Sequence, residues 1–110
     1  MATAVIVASL ALMGAVQDTI DPIDLFFPPE ARAVARCIRA NENRSGDPYA
    51  IGALGERGDF QIHPVHSWRF KGGFDDAFNR YINTYVAAQI YEEQGFTPWT
   101  TFPNCANAVR

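Results

Sequence analysis

Glu42 and Glu56 are the residues of this chain best placed to do chemistry. Glu42 closes an Ala- and Arg-rich stretch that also carries Cys37. Val34, Ile38 and Glu42 are spaced i, i+4, i+8, which sets the acid on the same helical face as apolar core residues. A carboxylate presented from an apolar face is partly desolvated, and desolvation raises a carboxyl pKa. A general acid that must hold its proton near neutral pH needs such a setting. Glu56 falls in the run GERGDFQIHP (55–64), which reads as turns around a short extended piece, Phe60-Gln61-Ile62. The pattern predicts one carboxylate on a helix end and a second on an adjoining turn.

The other reactive side chains are less suited to catalysis. His63 and His66 stand i, i+3 across Pro64, but a metal needs a third donor and none is evident. Neither histidine has a recognisable Ser or Cys partner, which disfavours a nucleophilic hydrolase. Cys37 and Cys105 lack CxxC spacing, so no metal site and no cofactor are expected. They form either one long-range disulfide, as fits an exported domain, or two free buried thiols.

Helices must position these groups. The spacing predicts one over Glu30 to about Asn43, with Pro29 and Glu30 suited to its first turn. A second, clearer helix is expected to open at the capping pair Asp75-Asp76. It carries the stripe Phe78, Ile82, Tyr85, Val86, Gln89, Ile90 and stops at Gly95. Residues 43–58 are Gly-rich loop, His63-Pro64 ends the extended piece, and 64–68 suit a short helix. The tail 96–110 reads as irregular. The fold class is α+β, mostly α, with a small loop or β region between the helices.

The chain has 110 residues and a net charge of −3, enough for one domain. Its acidic balance argues against nucleic acid as a partner. Residues 1–17 are almost wholly apolar. This run is short of the ~20 residues that span a bilayer and suits the core of an export signal. No Lys or Arg precedes it, so an uncleaved anchor, a membrane- or virion-contacting helix, or a buried helix are the other readings. Residues 18–29 read as a linker and 30–110 as the domain. The sequence does not set an oligomeric state.

The order of motifs resembles the lysozyme-like superfamily, in its small lytic transglycosylase or muramidase form found in phages and secreted bacterial proteins. The residues that carry the resemblance are Cys37-x4-Glu42, Asp47-Pro48-Tyr49-Ala50-Ile51, and Gly58-x-Phe60-Gln61-Ile62-x-Pro64 with Trp68 after it. Asn83-Thr-Tyr-Val-Ala87-Ala88-x-Ile90-Tyr91, Gly95-Phe96-x-Pro98-Trp99 and Cys105 complete the order. Each is weak alone; their specificity lies in the sequence of all six.

The resemblance implies a lysozyme-like fold and cleavage of the MurNAc-β-1,4-GlcNAc bond of peptidoglycan glycan strands outside the cytoplasm. It makes Glu42 the catalytic acid and puts Glu56 where C-type lysozymes carry their second carboxylate. Tyr49, Gln61, His63, Asn83, Tyr91 and Trp99 become candidate substrate-binding residues, with Trp68 a lesser one. It also implies pairing of Cys37 with Cys105. The lytic transglycosylase route is expected over hydrolysis. The competing class is a non-catalytic glycan-binding or structural virion or secretion module on the same fold. The chain departs from the family pattern in three ways: Asn43 follows the acid in place of Ser, the stretch from Glu42 to Asp47-Pro48 is about one residue longer than usual, and Asp59 stands where many relatives are apolar.

Overall fold

The computed structural model describes residues 20–108. The apolar segment 1–17 and its possible roles lie outside them. Within them the protein is mostly helical, with β structure limited to the isolated bridges Ile51–Arg57 and Arg57–Ile62. No helix among the described residues is long and apolar enough to cross a membrane.

The first helix among the described residues, α1 (Pro22–Phe26), lies in the segment read as a linker. Pro22 supplies the fixed φ of a first turn, and the Asp21 carboxylate accepts the Ile23 N–H at 2.9 Å. The segment is core: Ile23 and Phe27, four apart, are both fully buried. Asp21 also receives two bonds from Arg39, at 2.7 and 2.8 Å. Burial alone would raise the Asp21 carboxyl. The Arg39 and Ile23 hydrogen bonds, with the charges of Arg39 and Arg36, outweigh it and bring the group below its ordinary value.

A 3-10 turn at Pro29–Ala31 leads into α2 (Arg32–Glu42), which buries Ala35 and Ile38 and ends on Glu42. The expected strand at Phe60–Ile62 is a turn instead. Gln61 takes a left-handed φ of 48° and the Phe60 N–H goes to a side chain on a later helix, so pairing stops at the single Arg57–Ile62 bridge. A 3-10 helix at Pro64–Arg69 follows, where a short helix was expected.

Helix α3 (Arg80–Gln94) is the central element. It does not open at Asp75-Asp76. Those residues belong to a separate 3-10 turn, Phe74–Phe78, and Asn79 caps α3 by accepting the N–H groups of Tyr81 and Ile82. Asp75 is exposed and pairs with Arg57 at 2.8 Å. Tyr85, placed on the core stripe by periodicity, is exposed. Gly95 closes the helix with φ 69°, a conformation that suits glycine.

The tail is less irregular than its composition suggests, since it forms α4 (Phe102–Cys105). Cys105 is bonded to Cys37, with Cα atoms 5.7 Å apart, which ties α4 to α2 just upstream of Glu42. Phe27, Phe60, Tyr91, Phe96 and Trp99 form an aromatic cluster, with ring centroids of contacting pairs 4.4–6.1 Å apart.

Two stability outcomes follow. Replacing both cysteines by Ala should cost about 4 kcal/mol in urea unfolding, given the length of the closed loop; a loss under about 1 kcal/mol would show that the bond constrains little. Phe27→Ala should cost about 3–5 kcal/mol as a core truncation. A linker residue would shift the midpoint by no more than about 0.5 kcal/mol.

Candidate functional site

Glu42 and Glu56 line one cleft of about 240 Å³. The end of α2, the turn at 54–63, the 3-10 helix after it, α3 and the strand-free tail at 98–100 all contribute to its walls. Ile62, Ile90, Pro98 and Trp99 make one part apolar, while Gln61, His63 and His66 join the two carboxylates on the polar part.

Glu42 is half-buried, and its Oε2 accepts a hydrogen bond from the Thr101 hydroxyl at 2.8 Å. The disulfide brings this about: Cys105 holds the tail on α2, and Thr101 comes with it. No local sequence signal marks Thr101, because its partner lies across the fold. Glu56 is half-buried too, with Oε1 accepting the Leu54 N–H at 2.8 Å, so the carboxylate is oriented by its own turn. Gly52 lets the Glu56 and Gln61 side chains lie close to its backbone. A Cβ there would collide with the side-chain oxygens of both Glu56 and Gln61.

The turn is fixed from α3. Asn83 is fully buried; its Nδ2 donates to Arg57 O at 2.9 Å and Ala77 O at 2.8 Å, and its Oδ1 accepts the Phe60 N–H at 2.9 Å. All three bonds are internal, which overturns the substrate-binding role expected for Asn83. Tyr91 is also removed from the site. It is half-buried among Phe27 and Phe96 and packs behind the cleft.

Tyr49 lies elsewhere. It is 69% exposed, sits against Phe78 and borders a different, open depression with Asp75 and Asp76. The structure does not bring it to Glu42. Gln61 lines the cleft, but its Nε2 is committed to Gly58 O at 3.0 Å and Ala50 O at 3.3 Å. Trp99 is 6% exposed and its indole N–H bonds Phe60 O at 2.9 Å, so it offers the cleft a ring surface and no donor. Trp68 is exposed beneath the Arg69 guanidinium and is not among the cleft walls.

His63 and His66 both line the cleft. His63 Nδ1 accepts the Val65 N–H at 3.0 Å, and His66 Nδ1 accepts from Arg69 Nε at 3.1 Å. Each neutral ring therefore carries its proton on Nε2. Neither ring keeps a free lone pair for a metal in that state, and no cluster of three or more metal donors forms among the described residues. Burial first, then the charges of Arg69 and His63, hold the His66 imidazole below its ordinary value against the pull of Glu93.

A larger depression of about 630 Å³ is bordered by Asp21, Arg39, Asp59 and Arg80. Its charges are already matched, Asp21 with Arg39 at 2.7 Å and Asp59 with Arg80 at 3.1 Å. Comparison with protein-family models, with curated proteins and with solved structures finds no match to this chain.

Asn83→Ala should destabilise the protein by about 3 kcal/mol, because it strands the buried Phe60 N–H and the Ala77 carbonyl and leaves Arg57 O with only its bond from Ile62 N–H. Thermal and urea unfolding check this. A loss under about 0.5 kcal/mol would return Asn83 to the list of ligand contacts.

Proposed function

We propose that the protein is a peptidoglycan-cleaving muramidase of lysozyme-like fold, acting at the MurNAc-β-1,4-GlcNAc bond, with Glu42 as general acid and then general base. The observation that carries this reading is the presence of Glu42 and Glu56 in one partly apolar cleft. Glycosidic cleavage needs a carboxyl that protonates the leaving oxygen and a means of stabilising an oxocarbenium-like centre. Glu42, held at a helix end by the Thr101 hydroxyl, is positioned for the first.

The route favoured is the lytic transglycosylase one. Glu42 gives its proton to the glycosidic oxygen, and the C1–O bond breaks as the substrate's acetamido oxygen closes on C1. The Glu42 carboxylate then takes the proton of the C6 hydroxyl, whose oxygen displaces the acetamido oxygen and leaves a 1,6-anhydro end. Glu56 assists by its negative charge in this scheme. Its Oε1 is engaged by the Leu54 N–H, which suits a fixed electrostatic partner.

Two further observations support the family reading. Asn43 and Asp59, two residues that depart from the lysozyme-like pattern, are bonded to each other, Asn43 Nδ2 donating to Asp59 Oδ1 at 3.0 Å. Both are buried, and Arg80 neutralises the acid. One departure thus compensates the other beside the catalytic helix. The Cys37–Cys105 disulfide fits the oxidising, extracytoplasmic setting in which such an enzyme meets its substrate.

Clearing of purified cell walls tests the acid. Glu42→Gln should lose at least about a hundredfold, in the range general acid catalysis supplies. Activity within about tenfold of wild type would overturn the role of Glu42. Mass spectrometry of the released muropeptides tests the route. Anhydro-muramic ends, with Glu56→Gln losing less than about tenfold, are expected. Reducing muramic ends, with a large loss in Glu56→Gln, would establish hydrolysis with Glu56 as the second catalytic carboxylate.

A further inference from the structure

His66 is a polar cleft residue whose orientation is set by a charged pair from outside the cleft. Arg69 Nε donates to its Nδ1, and Arg69 is in turn gripped by Glu93 of α3 through two bonds, at 2.8 and 2.6 Å. The Arg69 side chain is 5% exposed, so this arrangement is buried at its centre. A guanidinium has donors only and stays charged, so Nδ1 must accept and the ring proton must sit on Nε2. Nε2 has no hydrogen-bond partner among the described residues and is not sealed from solvent. The depressed pKa of the ring agrees with a neutral imidazole at neutral pH. His66 therefore brings the cleft a single N–H that donates and cannot accept.

A donor of that kind is best matched by a group that only accepts. A hydroxyl oxygen can accept this bond too, but brings an O–H of its own that must find an acceptor; a carbonyl oxygen only accepts. Ile62, Ile90 and Trp99 supply apolar surface in the same cleft. A carbonyl joined to a methyl is the acetamido group of an N-acetylhexosamine. We propose that His66 is a sugar-binding residue, donating from Nε2 to an N-acetyl carbonyl oxygen, with Arg69 and Glu93 as the residues that position it. This deepens the reading of the cleft as a glycan site and rests on it.

The test uses the full chain carrying Glu42→Gln, titrated with N,N′,N″-triacetylchitotriose. Ring-nitrogen NMR should give the Nε2–H form of His66 without sugar, and the Nε2 signal should move as sugar is added. His66→Phe should weaken binding about tenfold, the loss of one net hydrogen bond. His66→Gln, which keeps an N–H near that place, should stay within about threefold of the parent. Arg69→Met should give a mixture of ring tautomers and weaker binding. The ring signal of the parent carries the test on its own if His66→Phe does not fold. Movement of the Trp99 indole signal with a stationary His66 Nε2 would overturn the proposal and leave the glycan reading standing. Saturating sugar that moves neither would overturn both.

Discussion

The cleft depends on one buried carboxamide. Asn83 projects from the middle of α3 and holds three separate points of the preceding chain, Arg57, Phe60 and Ala77, by hydrogen bonds of 2.8–2.9 Å. Between those points the backbone runs so close to the helix that a Cβ on Gly58 would strike the Asn83 amide and Ala77 O. Only glycine fits, and its φ of 77° is one that glycine adopts freely. This contact replaces the ladder that a true sheet would provide. A loop with two isolated bridges has little intrinsic order, and its shape is borrowed from the helix behind it. Glu56, Gln61 and Ile62 take their places in the cleft because of that contact.

The Glu42 part of the cleft is held by different means. Glu42 comes from the end of α2, where Ile38 is buried one turn earlier. The disulfide fastens α4 to the same helix, and the tail it secures provides Trp99 and Thr101. Trp99 links the tail to the Asn83-bound turn, since its indole donates to Phe60 O. Two carboxylates lining one cleft are what glycosidases commonly use. The proposed function rests on that arrangement.

Much of this was readable from residue types. The apolar stripe of α3, the run into α2 and the place of Glu42 at its end follow from helical periodicity. Other features were hidden for physical reasons. Helix α1 has five residues, too few to display a period, although Ile23 and Phe27 do stand i, i+4. Both Asn79 and the Asp75-Asp76 pair can cap a helix, and only tertiary packing decides between them. Asn83 carries a signal that can be used: an amide in the middle of an apolar stripe implies buried backbone partners. Aromatic residues carry no such mark. Tyr49, Tyr91 and Trp99 have similar chemistry, yet one lies on a separate surface, one in the core and one on the cleft wall. The Arg69–Glu93 pair was invisible because its partners are distant in sequence, and with it the fixed orientation of His66.

The most direct measurement is a crystal structure of the Glu42→Gln protein with an N-acetylhexosamine oligomer bound. A sugar chain lying between residues 42 and 56, with a glycosidic oxygen within hydrogen-bond reach of the residue 42 side chain, is the predicted result. A chain seated at Tyr49 and Phe78, or in the depression beside Arg39 and Arg80, with the Glu42–Glu56 cleft empty, would contradict the proposed site.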